Sequence, residues 1–362
     1  MKLIANIKLL PTPEQESLLR KTLELCNQVC NYLSARAFDA QTFRQFDLHK
    51  IGYHDARGMY DVAAQVAVRC ISKVADSYKT GAEGQRNFKR FAAQPFDDRI
   101  FRFLGDNKVS IWTVAGRQKI DYVCGERQRV LLEFRKGEVD LMFVRGKWYL
   151  ACVCDIPDPE EAGIEDVLGV DFGIVNLAVD SNGTCYSGAA VEAARSKFAR
   201  RRAGLQKRGT KAAKRRLRKL SGRQKRFQTH TNHCISKAIV AEAQRSRSAI
   251  SLEDLKGIRN RVKARRPQRA KLHNWAFGQL RDFTTYKSRL CGVLVVAIDP
   301  RNTSRECSVC GCIDKRNRPN QATFLCTNCG HSAPADYNAA LNIKARAAKS
   351  NPALKFSDRA AA

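Results

Sequence analysis

Asp299-Pro300-Arg301-Asn302-Thr303-Ser304, then Cys307-x2-Cys310, fifteen residues, Cys326-x2-Cys329, and Asp336-Tyr337-Asn338-Ala339-Ala340 form the stretch on which the reading of this chain turns. Two CxxC pairs at that separation can close a tetrahedral zinc site, each pair making one tight knuckle. Cys312 is a fifth thiol beside the ribbon and reads as a spare, since the flanking pairs complete four-coordination. Asp336 follows the ribbon directly, and two further carboxylates, Asp171 and Glu253, stand upstream at expected strand ends. Singly, each has an ordinary explanation: a turn former, a surface charge beside Asp254, a helix N-cap. Together they suggest a metal-dependent nuclease. Hydrolysing a phosphodiester this way takes two divalent cations roughly 4 Å apart, with hard oxygen ligands converging on them from separate elements.

Working outward, Val167-Leu168-Gly169-Val170-Asp171-Phe172-Gly173 reads as an apolar strand running into an Asp and a reversal. A second strand to Asp180, the turn Ser181-Asn182-Gly183 and a third strand at 184–187 complete a meander. Ala249–Leu255 is another short apolar strand with Glu253 near its end. Val293–Ile298 reads as a buried strand of the parallel type, and Tyr337–Ala348 as a helix with Asp336 at its start.

Residues 195–226 hold sixteen Lys and Arg and no acid, including Arg200-Arg201-Arg202 and Lys214-Arg215-Arg216-Leu217-Arg218-Lys219. Such a run cannot pair internally, so it is either a solvated arm or a helical insertion laid along phosphates. Arg259–Lys271 adds seven basic residues without an acid. His230-x2-His233-Cys234 could be a second metal site, but histidines on a polar helix face are the more ordinary reading.

The N-terminal third reads as helices inside a β-rich frame. Lys2–Leu10 is strand-like, and Thr12-Pro13-Glu14-Gln15 supplies an N-cap, a helix-opening Pro and a capping-box Gln. Leu19, Leu23, Cys26, Cys30, Leu33 and Ala37 stripe one helix, and Met59, Val62, Val66, Cys70 and Val74 a second. From about Arg99 to Ile156 the period becomes two, in strands expected at 108–112, 130–134 and 139–144, as a small antiparallel sheet or barrel. The helices would then be an insertion after its first strand. Asp155–Asp166, with two prolines and six acids, reads as a linker.

Composition agrees. The 362 residues carry 65 Lys and Arg against 35 Asp and Glu, a formal charge of +30, which points to a polyanion and above all to nucleic acid. No apolar run approaches the roughly 18 residues that span a bilayer, and no signal-peptide pattern opens the chain, so a soluble protein of the cell interior with no membrane partner is expected. Fourteen cysteines in so long a chain fit a reducing compartment, with Cys26, Cys30, Cys152 and Cys154 as buried small hydrophobes.

The strings GVDFGIVNLAV, ISLEDLKGI, IDPRNTSRECSVCG, CTNCG and DYNAALNI, in this order, resemble the TnpB (OrfB) family of insertion-sequence proteins related to type V CRISPR effectors. The opening KLLPTPEQESLLRKTLELCNQVCNYL is similar as well. The resemblance implies a multidomain α+β fold. Its parts would be a β-barrel-like wedge domain (1–10 and 96–160), an inserted helical recognition domain (11–95), and an RNase H-like, RuvC-type nuclease domain (161–349). That last domain would carry a basic helical insertion (188–247) and a zinc ribbon (304–332), ahead of a disordered tail (350–362). It further implies catalytic and magnesium-binding Asp171, Glu253 and Asp336, with Asp171 bridging two Mg2+ ions, and one structural Zn2+ on Cys307, Cys310, Cys326 and Cys329. Nucleic acid would be held by Arg200, Arg201, Arg202, Lys214, Arg215, Arg216, Arg218 and Lys219. The implied activity is RNA-guided cleavage of double-stranded DNA beside a short transposon-adjacent motif, by a monomeric ribonucleoprotein using a guide RNA from the element's end. The alternatives are a non-cleaving RNA-guided repressor, a transposition accessory protein, or a transposase that joins ends. The chain departs from the family pattern at Pro334-Ala335, where many relatives carry an Asp-Arg pair.

Overall fold

The computed structural model describes residues 1–81, 83–159, 163–254 and 277–350. The basic run Arg259–Lys271 and the tail from residue 351 lie outside the described residues. The chain divides into two compact units, Met1–Pro157 and Asp158–Ala362. Among the described residues no helix is long and apolar enough to cross a membrane.

In the first unit, β1 (Lys2–Leu10) leads into α1 (Pro13–Asp39), whose capping box forms as the sequence requires: Thr12 Oγ1 accepts from the Gln15 amide and the Gln15 side chain accepts from the Thr12 amide. Such a cap contributes about 1 kcal/mol. The second apolar stripe is divided between two helices, α2 (Gln45–Tyr60) and α3 (Ala64–Tyr78). Asp61, in the left-handed region at φ 48, breaks the run, and Met59 is left exposed at the end of α2 instead of entering the core. The strands β2 (Gln94–Phe96), β3 (Phe101–Leu104), β4 (Lys108–Thr113), β5 (Gly116–Val123), β6 (Arg135–Val144) and β7 (Lys147–Asp155) join β1 in one sheet, ordered β2-β6-β7-β1-β5-β4-β3. Seven flat strands would separate the outer two by about 29 Å, yet β2 and β3 are joined by only four residues, 97–100, which reach about 18 Å at most. The sheet must therefore curl toward itself. Residues 130–134, expected as a strand, lie instead mostly in α4 (Glu126–Glu133). Gly125 opens that helix, and Glu126-Arg127-Gln128-Arg129 are good helix formers whose propensity overrides the short apolar run. Cys26, Cys30, Cys152 and Cys154 are all buried in the core of this unit.

The second unit is built on a five-stranded sheet: β8 (Asp166–Asp171), β9 (Asn176–Asp180), β10 (Cys185–Ser187), β11 (Ser248–Glu253) and β12 (Val295–Ile298). Its order is β10-β9-β8-β11-β12, an antiparallel meander extended by two strands parallel to β8. Between β10 and β11 run α5 (Ala189–Arg208) and α6 (Lys211–Arg245), and α7 (Phe277–Leu290) precedes β12. Both faces of the sheet are covered. Leu168, Val170, Ile250 and Leu252 meet Ile235, Ile239 and Val240 of α6 and Leu280 of α7. Val167, Ala249 and Ile298 meet Ile343 and Ala347 of α8 (Ala335–Ser350). Burial on both faces is why every residue of β11 is buried or nearly so. β12 is parallel, as its apolar run implies, but it is an edge strand with Val295, Val296 and Ala297 partly or fully exposed. That corrects the expectation of a buried strand: period counting cannot distinguish an edge from a centre.

Gly169 fixes how closely α8 lies on β8. A Cβ there would stand 2.2 Å from the Ala340 carbonyl oxygen and 2.5 Å from the Lys344 nitrogen, backbone atoms that cannot swing aside. Gly169→Ala is therefore expected to destabilise the protein by about 3 kcal/mol or more. Urea unfolding would read this, and a loss below about 1 kcal/mol would show that α8 can shift.

Candidate active site and thiol cluster

Strand register brings two of the three carboxylates together. Leu252 pairs with Val170 across the parallel β8–β11 ladder, so Glu253 and Asp171 emerge side by side at the carboxyl ends of adjacent central strands. Such ends are where open α/β sheets place ligand sites. Alternation along the strands then selects the face. Asp171 lies two residues beyond Gly169, and Glu253 two beyond Ser251, whose hydroxyl donates to the Ile343 carbonyl at 3.4 Å. Both carboxylates thus face α8, whose first turn carries Asp336.

The electrostatics register this convergence. Asp171 is pushed up to about 8, first by burial, then by repulsion from Glu253 and Asp336, with Arg318 acting in the opposite sense. Glu253, 9% exposed, is also raised by burial, against the lowering effects of Thr303 and Arg346. Acids near enough to raise one another call for cationic charge, although their oxygens are not gathered within 4.8 Å as the four sulfurs of the ribbon are. Neighbouring groups orient them: Asn176 Nδ2 donates to Asp336 Oδ2 at 3.0 Å, and the Thr303 hydroxyl donates to Glu253 Oε1. Arg318 Nη2 lies 3.3 Å from Asp336 Oδ1.

Asn176, Thr303 and Arg318 were not singled out in the sequence as site residues. Asn176 and Thr303 lie inside the quoted strings and could have been suspected. Arg318 had no local signal, because it reaches Asp336 from within the ribbon, eighteen residues upstream. It brings a guanidinium to the site although Pro334-Ala335 depart from the Asp-Arg pair that the resemblance leads one to expect.

The ribbon comprises a single 3-10 turn (Lys315–Asn317) and the strands β13 (Thr323–Leu325) and β14 (Ser332–Pro334). Cys307, Cys310, Cys326 and Cys329 place their sulfurs within 4.8 Å of one another, the only such set of three or more possible ligands among the described residues. The Cys307–Cys329 and Cys310–Cys326 sulfurs are 3.7 and 3.5 Å apart, far beyond a disulfide and close to the roughly 3.8 Å edge of a tetrahedron with Zn–S bonds of about 2.3 Å. The set fits zinc. Gly311 and Gly330, one after each CxxC, take φ of +73 and +71 and close the knuckles in a conformation that favours glycine. Backbone N–H groups, with Asn328, favour thiolate at two positions: Cys310 is lowered to about 6, the amide of Cys312 contributing most, and Cys326 is lowered chiefly by the amide of Cys329. Cys312 lies beside the four without joining them. The ribbon is tied to α8 by two buried asparagines one turn apart. Asn338 and Asn342 both donate to the Glu306 carbonyl, at 2.8 and 2.7 Å, and Asn338 accepts from the Ser308 amide.

The basic residues fall on α5 and α6, so the run is helical. Arg201, Arg216 and Lys219 line a shared cleft between these helices, whereas Arg200, Arg202, Lys214, Arg215 and Arg218 do not. His233 stacks on Phe283 at 3.9 Å, and His230 lies 3.7 Å from Cys234; no metal-ligand group of three forms there among the described residues.

The molecule is thus a multidomain α+β protein that combines an acidic cluster at the carboxyl edge of a mixed sheet with a four-thiol ribbon. Residues 151–259 match the family described as "Probable transposase" (OrfB of IS605), and residues 277–343 match the "Cas12f1-like, TNB domain". A CRISPR-associated endodeoxyribonuclease Cas12f1 from Sulfoacidibacillus thermotolerans is 34% identical, covering 55% of this chain and 50% of the relative. A TnpB-like protein of Methanocaldococcus jannaschii is 28% identical over 67% of this chain and 92% of the relative. The "Putative RNA-guided DNA endonuclease InsQ" of Escherichia coli is 28% identical over 55% and 54%. The chain spans about half or less of the length of two Cas12f1 relatives it matches. Among solved structures, a Cas12f1–sgRNA–target DNA complex superposes with a TM-score of 0.61 at 17% identity, over 93% of this chain and 83% of that one. A Cas-phi3 endonuclease superposes with the same score at 10% identity, over 100% and 94%. The family model and these relatives together support a protein of the TnpB type, related to the type V CRISPR effectors.

Proposed function

We propose that this protein is an RNA-guided DNA endonuclease that cuts double-stranded DNA next to a short transposon-adjacent motif. The observation that carries the reading is the convergence of Asp171, Glu253 and Asp336, from two central strands and a helix N-terminus, near enough that both other acids raise Asp171, although the carboxylate oxygens do not all lie within 4.8 Å of one another. Two Mg2+ ions held there would activate water and stabilise the leaving oxygen of an in-line displacement. Asp171, which feels the charge of both other acids, would supply oxygen ligands to the ions. Glu253, oriented by Thr303, and Asp336, oriented by Asn176, would complete their oxygen ligands. Arg318, beside Asp336, is placed to meet a phosphate oxygen at the reacting centre.

The remaining parts take roles in keeping with the family. Residues 1–10 and 96–160 would be the wedge domain, 11–95 the helical recognition domain, and 161–349 the RuvC-like nuclease domain, with its basic insertion at 188–247 and a zinc ribbon at 304–332. The ribbon's zinc would hold Arg318 near Asp336. A guide RNA would choose the target by base pairing while the protein reads only the adjacent motif and the duplex backbone.

The test is purification from the native locus, sequencing of the bound RNA, and incubation with DNA matching its 3′ end. Magnesium-dependent cutting of matched DNA without end joining is expected. Binding without cutting would favour a repressor, and joined ends a transposase.

A further inference from the structure

Where α5 and α6 face each other, an antiparallel helix pair would normally zip an apolar seam at an interaxial distance of about 8–10 Å. Toward the sheet the seam is apolar but open, with Val191 and Phe198 of α5 and Phe227 of α6 lining one pocket. Toward the Gly209-Thr210 turn it becomes cationic. α5 presents Arg201, Gly204, Leu205 and Arg208 on one stripe, and α6 presents Arg216, Lys219, Leu220 and Arg223 at the same spacing of three, one and three. Between the stripes lies a cleft of about 570 Å³, within the range of ligand pockets. No ion pair among the described residues neutralises any of the five cations, and none of the lining residues is acidic. α5 buries no side chain, so packing does not explain why it stays beside α6. Gly204 has ordinary helical geometry and open space where a Cβ would stand, so neither packing nor backbone strain requires glycine there. In a helix interior it costs about 1 kcal/mol relative to Ala, and its effect is to deepen the cleft.

We propose that this seam binds one unpaired strand of nucleic acid, its phosphates on the guanidiniums and Lys219 at the rim and a base against Leu205 and Leu220 on the floor. The inference rests on the nucleic-acid reading above and narrows it. A duplex is too wide to enter between two helices, whereas a single strand offers both the charge and an apolar base face. The unpaired strand could be guide RNA or displaced DNA, which share this chemistry.

The test measures the affinity of the full-length protein for labelled oligo(U), oligo(dT) and a blunt duplex at one ionic strength. Gly204→Glu places a carboxylate in the cleft and is expected to weaken single-strand binding about tenfold or more, with little change for the duplex. Gly204→Leu, an uncharged plug of better helix propensity, should weaken it in the same direction. Ala203→Glu, exposed on the same helix and outside the cleft, makes the same change in net charge and should shift affinity less than about twofold. A larger loss on oligo(U) would assign the seam to guide RNA, and on oligo(dT) to the displaced strand; either supports the site. Equal losses for both Glu variants, or none for Gly204→Glu, would overturn it, leaving only diffuse positive charge. Magnesium-dependent cleavage by the same wild-type preparation reports separately on the nuclease reading, so the seam can fail while that reading stands.

Discussion

Asp171→Ala is expected to reduce DNA cleavage by about a thousandfold or more while leaving nucleic-acid affinity nearly unchanged, because on the proposed reading it removes a metal ligand rather than a phosphate contact. The same applies to Glu253→Ala. Robust cutting by either variant in magnesium buffer would remove these residues from the active site. The raised pKa of Asp171 adds a pH signature whose sign follows from its cause. A carboxyl that ionises near 3.9 in the unfolded chain and at about 8 in the fold stabilises the protein most below pH 4. That contribution is lost as pH rises toward 8, where the crowded carboxylates must all carry charge. In the absence of divalent cations the wild type should therefore lose thermal stability between about pH 4 and pH 8, and Asp171→Asn should not. Magnesium must displace the proton, so wild-type magnesium affinity should increase with pH and level off near 8. An apo melting temperature independent of pH, or equally pH-dependent in Asp171→Asn, would mean that the three acids are not electrostatically coupled.

Cys310→Ser is expected to lose stoichiometric zinc, since a hydroxyl is a poor replacement for a thiolate already favoured by the Cys312 amide and Asn328. The buried centre of the ribbon is little more than Cys307, Phe324, Cys326 and Ala335, too few apolar groups to fold without the metal. Loss of order from Glu306 to His331 should follow, seen as new protease sites confined to that segment. Arg318 would leave Asp336 with it, so cleavage should fall even though none of the three carboxylates has changed. Metal analysis that found no zinc in the wild type would sink this account. So would a Cys310→Ser protein that cuts normally.

These two experiments bear on features that differ in how far they can be read without a structure. The thiol spacing, the helix N-cap at Thr12, the meander that ends near Ser187 and the helical start at Asp336 are local: a few neighbouring residues dictate them through ligand geometry, capping or turn chemistry, and they are visible in the linear chain. Three identical kinds of local signal were misleading. The apolar run at 130–134 could be strand or helix, the stripe from Met59 to Val74 could be one helix or two, and Val293–Ile298 could be a central or an edge strand. Periodicity reports which residues want burial, not what will cover them.

By itself the sequence determined the list of acids, the four thiols and a basic run too charged to pair with itself. Only tertiary structure decided what those groups do together. Register between β8 and β11 sets Asp171 beside Glu253, and Gly169 lets α8 approach closely enough to bring in Asp336. Contacts between residues far apart in the chain bring Arg318 and Thr303 to the acids and open a cationic cleft between two helices. The physical reason is range: propensity and capping act within a turn or two, whereas strand register and helix packing are set by the burial of whole faces, which no short stretch of chain contains.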